Sequence, residues 1–152
     1  MIAALRTWWT LPTPGAAPQA TELFHRDVDD FRFLKLFLYL TDVDEEAGPH
    51  VFARGTHKLP ELSAIRRYRD HEVRRVVEPH DMIQVLGCAG TAFLEATYGL
   101  HRATKPIARP RLAFSALYTM RPTIYGPAKP LRARTAEERD LSAYVNQIYL
   151  RA

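Results

Sequence analysis

The stretch from Phe31 to Leu40 limits most strongly what this chain can fold into. Phe31, Phe33, Lys35, Phe37 and Tyr39 alternate with Arg32, Leu34, Leu36, Leu38 and Leu40, and both sets are largely apolar. Side chains on a strand point to opposite faces in turn, so this pattern predicts a strand covered on both faces. The aromatic enrichment and the turn-forming residues on either side, Val28-Asp29-Asp30 and Thr41 to Gly48, favour strand over helix. The Lys35, Phe37, Tyr39 face carries the polar ends and is expected to look toward a site.

The remainder of the chain fits the same plan. Eleven prolines against seven glycines, with aromatics throughout, favour short strands joined by turns. Strands are expected at Ile2 to Thr10, Pro49 to Ala53, Glu72 to Glu78, Asp81 to Leu86, Thr91 to Ala96 and Arg111 to Met120. A loop with some helical character is expected over Leu59 to Asp70. Residues 122–130 read as an extended linker. Thr135, followed by Glu137 and Glu138, looks like the N-cap of a C-terminal helix reaching about Leu150. The expectation is one all-β domain over residues 1–152, a sandwich or jelly-roll barrel of roughly seven strands with a C-terminal helix.

Composition is ordinary for a globular domain, with 47% hydrophobic and 25% charged residues. The net charge of +4 suits small anionic substrates. Its densest basic stretch, Arg66, Arg67, Arg69, Arg74 and Arg75, reads first as a solvated loop and second as a surface for an anionic substrate. With no nucleic-acid-binding motif, no nucleic-acid partner is expected. No window reaches the roughly 18 apolar residues of a spanning helix, so no membrane partner is expected and a cytoplasmic location is the default. Cys88 is the only cysteine; it excludes an intramolecular disulfide and is expected to be a buried, inert thiol.

The residues that suggest chemistry are His25-Arg26-Asp27, His101 after Gly99-Leu100, and Arg111. In an extended segment His25 and Asp27 share one face. A distant imidazole added to that pair supplies two nitrogens and a carboxylate to one side of a metal, leaving the other side open, as non-haem Fe(II) oxygen chemistry requires. Arg111 could hold a co-substrate carboxylate bidentately. Ten residues separate His101 from Arg111, a spacing that would allow two antiparallel strands to hold them close. Ser115 follows on the Arg111 face and could add a hydroxyl. His50, His71 and His80 lie in turns or polar segments and are expected at the surface.

Several segments together resemble the phytanoyl-CoA dioxygenase family of Fe(II)/2-oxoglutarate oxygenases. They are His25-Arg26-Asp27, Lys35 to Val43, Gly48-Pro49-His50, Arg54 to Lys58, Gly90 to Phe93, Gly99-Leu100-His101 and Arg111-Leu112-Ala113. The resemblance implies a double-stranded β-helix of the cupin type. It implies His25, Asp27 and His101 as iron ligands, and Arg111, assisted by Ser115, as the clamp for 2-oxoglutarate. Phe37 falls where the family often places an aromatic beside the co-substrate, and His57 falls in an element that is mainly structural. Members usually carry a longer segment before the H-x-D; here 24 residues precede His25, so an N-terminally short barrel is expected. The implied activity is oxidation of an unactivated C–H of a small molecule with O2, releasing succinate and CO2. Asp27 favours hydroxylation over halogenation, which needs a small residue there. The alternative is a non-catalytic jelly-roll binding module, and a homodimer stays open.

Overall fold

The computed structural model describes residues 2–121 together with 131–132, 135–136 and 150–151. The expected C-terminal linker and helix lie almost wholly outside the described residues. Strand β1 spans Ile2–Thr10, β2 Phe33–Tyr39, β3 His50–Ala53, β4 Met82–Val85, β5 Ala92–Glu95, β6 His101–Ala103 and β7 Arg111–Thr119. They form two antiparallel sheets, a four-stranded one in the order β1-β7-β2-β5 and a three-stranded one in the order β4-β3-β6. Two short strands, β8 (Leu131–Arg132) and β9 (Leu150–Arg151), pair separately. The protein is a β jelly roll. Among the described residues no helix is long and apolar enough to cross a membrane.

Register decides what each face of the larger sheet carries. Phe37 stands opposite Ser115 on one side and Phe93 on the other, while Tyr39 stands opposite Ala113. These residues point inward toward the smaller sheet, where Tyr39, Val43, Ala47 and Ala113 are buried with Trp8, Val85 and Phe93 packed against them. The inward face of β2 is therefore the one the sequence singled out. Among the described residues its second face is only partly covered. Leu34 and Leu40 are each 41% exposed, and Leu94 on β5 and Trp9 on β1 are exposed beside them.

The smaller sheet is enclosed on both sides. Val51 and Ala53 of β3 pack outward against Leu62, Tyr68, Val73 and Val77, which belong to the segment between β3 and β4. A strand over Glu72 to Glu78 does not form. Asp70–Val73 is instead a short helix, α1, and the turn continues with the Val77 amide donating to the Val73 carbonyl at 2.9 Å. Val73 and Val77 are four apart, a spacing that places both on one helical face. Burying that pair against β3 favours the turn over their β-branched strand preference.

Gly48 fixes the entry to β3. Its φ of +73° is a left-handed conformation, and a Cβ there would run into the Thr104 carbonyl and the Pro106 ring. Cys88 is exposed in the β4–β5 turn rather than buried, because none of the three core clusters includes a residue of that turn.

Candidate metal centre

His25 and His101 meet through their backbones. The His25 amide donates to the His101 carbonyl and the His101 amide to the His25 carbonyl, both at 2.9 Å, a single antiparallel bridge at the end of β6. Residues so paired carry their side chains on the same face. The two rings lie 4.3 Å apart, centre to centre, and each residue is only 5% exposed. Asp27, two residues beyond His25, is anchored by its amide to the Thr97 carbonyl at 2.9 Å and joins the same face.

The outer nitrogen of each ring is fixed by the inner one. His25 Nδ1 lies 2.9 Å from the Leu23 carbonyl and His101 Nδ1 lies 3.1 Å from the Gly99 carbonyl. A carbonyl only accepts, so each Nδ1 carries the proton and each Nε2 keeps a lone pair. Asp27 Oδ1 is 3.9 Å from His25 Nε2, and Oδ2 is 3.5 Å from His101 Nε2. One ligand atom from each of the three residues falls within 4.8 Å of the others. Two neutral imidazoles and one carboxylate on a single face fit a divalent transition metal.

The protonation states suit that donor set. Burial lowers the pKa of both imidazoles, that of His101 to about 4. Burial alone would raise the pKa of Asp27, but the charges of His101 and Lys35 hold it below the usual carboxylate value. Lys35 Nζ donates to Asp27 Oδ2 at 2.6 Å and sits 3.1 Å from Asp29 Oδ2.

All three residues line a cavity of about 800 Å³ between the sheets, and Arg111, Ser115 and Phe37 line it too. His101 and Arg111 do not sit on neighbouring strands. β6 belongs to the smaller sheet and β7 to the larger, so the imidazole and the guanidinium come from opposite sides of the cavity. Arg111 is only 2% exposed; its Nη2 donates to Thr10 Oγ1 at 3.3 Å, while Nε and Nη1 have no partner among the described residues. Burial lowers its pKa, yet an arginine remains charged at neutral pH. A buried cation with unused donors could hold an anion. Ser115 shares its face four residues further along β7, about 13 Å by strand rise. Thr10 is the nearer hydroxyl. Phe37 stacks on Phe93 at 5.1 Å and lies 4.9 Å from the His50 ring.

His50 corrects the sequence reading. It is 7% exposed and lines the cavity, whereas His57, His71 and His80 are exposed. Its Nε2 lies 2.6 Å from Glu95 Oε2, and Glu95 Oε1 lies 3.7 Å from His101 Nδ1. Burial, with Arg111 adding to it, pushes the His50 pKa down to about 3, and burial pushes that of Glu95 up to about 7. His50 lies in the Gly48-Pro49-His50 segment, which suggested no site role for it, and Glu95 lies in no motif. Alternation gives the only signal, since Phe93 and Glu95 share the inward face of β5 opposite Phe37 and Lys35.

The sequence matches no protein-family model and no curated protein. Solved structures do match the fold. The non-haem monooxygenase ThoJ in its nickel complex superposes with a TM-score of 0.54 at 18% identity, over 77% of this chain and 43% of that one. The jelly-roll fold is one that this oxygenase shares. The non-haem α-ketoglutarate-dependent carbocyclase SnoK from nogalamycin biosynthesis gives a TM-score of 0.57 at 19% identity, over 88% of this chain and 60% of that one. EvdO2 from Micromonospora carbonacea var. aurantiaca, complexed with 2-oxoglutarate, gives 0.52 at 18% identity, over 80% and 56%. The chain thus spans less than two-thirds of the length of each.

Proposed function

We propose that the chain is an Fe(II)- and 2-oxoglutarate-dependent oxygenase that oxidises an unactivated C–H bond of a small molecule. The carrying observation is the convergence of His25 Nε2, His101 Nε2 and the Asp27 carboxylate in one cavity with the buried guanidinium of Arg111, two of whose nitrogens have no partner among the described residues. His25, Asp27 and His101 would hold the iron. Bound there, Fe(II) with 2-oxoglutarate and O2 supplies an oxidant for the C–H bond, and the co-substrate leaves as succinate and CO2.

The chain's own residues prepare that chemistry in three ways. The Leu23 and Gly99 carbonyls set the imidazole tautomers, so both Nε2 atoms present lone pairs without a proton having to move. Lys35 keeps Asp27 ionised. Arg111 would take the far carboxylate of 2-oxoglutarate, with the Thr10 hydroxyl steadying the guanidinium and Phe37 forming an apolar wall that excludes water.

The test is O2-dependent conversion of 2-oxoglutarate to succinate by Fe(II)-loaded protein. Succinate is expected from the wild type and not from Asp27→Ala or His101→Ala. Retained turnover in both variants would remove the proposed ligand set. The rival reading is a binding module without turnover. Metal binding with no succinate from folded protein would support that rival instead.

A further inference from the structure

We infer that the oxidised substrate carries an anionic oxygen group, a carboxylate or a phosphate, and that Arg67 is the residue that takes it. This rests on the oxygenase reading and adds the chemical class of the molecule that would occupy the open part of the cavity.

Backbone pairing fixes where Arg67 stands. Phe24 and Tyr68 form an isolated antiparallel bridge, with the Phe24 amide donating to the Tyr68 carbonyl at 3.0 Å and the Tyr68 amide to the Phe24 carbonyl at 2.8 Å. In an antiparallel pair the next residue of one strand faces the preceding residue of the other, so Arg67 stands opposite His25. Phe24 and Tyr68 are both buried in the cluster outside the smaller sheet. Successive side chains alternate, so His25 and Arg67 turn the other way, and both line the cavity. Arg67 is near enough for its charge to act on the His25 imidazole.

Arg67 is exposed at the cavity mouth, and unlike Arg66 and Arg26 its guanidinium is not engaged. Arg66 pairs with Glu72 at 2.7 Å and lies 3.8 Å over the Tyr68 ring. Arg26 donates to the Leu62 carbonyl and lies 4.9 Å from the centre of the Tyr98 ring. Among the described residues the Arg67 guanidinium has no hydrogen bond or ion pair.

Charge counting points the same way. The carboxylates lining the cavity are Asp27 and Asp29, and Lys35 bridges both. A divalent metal offsets the remaining negative charge and leaves one positive. Arg111 and a doubly charged 2-oxoglutarate offset that in turn. Arg67 then remains as a cation beside His25. A guanidinium fork matches a carboxylate or phosphate bidentately. Held there, an anionic group would tether the substrate next to His25 and direct its body across the open face of the triad.

The experiment titrates inorganic phosphate and, separately, butyrate into the protein, metal-free and loaded with Mn(II) and 2-oxoglutarate without O2. Wild type, Arg67→Gln, Arg67→Lys and the neighbouring control Arg66→Gln are compared by isothermal calorimetry. Saturable binding of at least one anion is expected in the wild type. It should weaken about tenfold or more in Arg67→Gln, partly recover in Arg67→Lys, and persist in Arg66→Gln. The anion bound more tightly identifies the group. Equal affinity in wild type and Arg67→Gln, or no saturable binding of either anion, overturns the inference. Failure to take up Mn(II) and 2-oxoglutarate would instead sink the oxygenase reading, and the Arg67 comparison in metal-free protein would still be read.

Discussion

Lys35 Nζ lies 2.6 Å from Asp27 Oδ2, so the carboxylate of the candidate triad is already paired with a cation. Lys35 also reaches Asp29, and both of its partners are mostly buried. Lys35→Met removes the one cation and leaves two carboxylates facing each other. The metal-free variant should lose about 1–3 kcal/mol of stability. A divalent metal would replace the missing charge, so Mn(II) should raise the melting temperature more in Lys35→Met than in the wild type. Differential scanning calorimetry with and without Mn(II) checks both parts. An equal rise in the two proteins would mean that the metal does not bind at Asp27.

Arg111 presents the opposite balance between stability and function. Among the described residues two of its guanidinium nitrogens are buried without partners, an arrangement that costs free energy in the unliganded protein. Arg111→Met should therefore raise stability by about 1 kcal/mol or more. It should also weaken 2-oxoglutarate binding about tenfold or more by removing charge-assisted hydrogen bonds. Thermal unfolding and equilibrium binding, measured on one preparation, read the two changes together. Unchanged 2-oxoglutarate affinity would show that Arg111 is not the clamp.

His50 predicts an acid dependence. Its folded pKa of about 3 lies below the ordinary histidine value of 6.5, so between those limits the unfolded chain binds the extra proton. Stability from this group is complete above pH 6.5 and falls away as the pH drops toward 3. Glu95, pushed up to about 7, works in the opposite sense, favouring the fold as the pH falls from 7 toward its ordinary value of 4.5. His50→Gln should flatten the acid limb of the melting-temperature profile between pH 6.5 and 4. An unchanged slope would place the acid sensitivity elsewhere.

The sequence made the strand-borne parts of the site legible and hid the parts set by tertiary context. His25 with Asp27 follows from alternation along an extended segment, and the inward face of Lys35, Phe37 and Tyr39 and Arg111 at the head of β7 follow from alternation along strands. His50 follows no such rule, because its burial depends on Glu95, 45 residues away, providing a partner inside a closed cavity. The helical turn at Val73 and Val77 was hidden because β-branched residues suit a strand until β3 offers a surface for one helical face. Leu34 and Leu40 show the converse limit. An apolar pattern on both faces of a strand states what each face would prefer to contact, and among the described residues the outer face of β2 is only partly covered.

Gly48 ties backbone shape to the site, since it sets the entry to β3 two residues before His50. Gly48→Ala combines a left-handed φ with a clash against Thr104 and Pro106. A loss of about 1–3 kcal/mol is expected from the backbone conformation, with the clash adding to it. Chemical denaturation provides the check, and a variant as stable as the wild type would show that the β3 entry relaxes freely.

As proposed, two imidazoles and one carboxylate would hold a single iron within reach of a keto-acid clamped by Arg111. Anaerobic addition of Fe(II) and then 2-oxoglutarate, followed by visible absorption, tests this most directly. A charge-transfer band is predicted for the wild type, lost in His101→Ala and requiring much more 2-oxoglutarate in Arg111→Met. A folded wild type without the band, or an undiminished band in His101→Ala, would contradict the account.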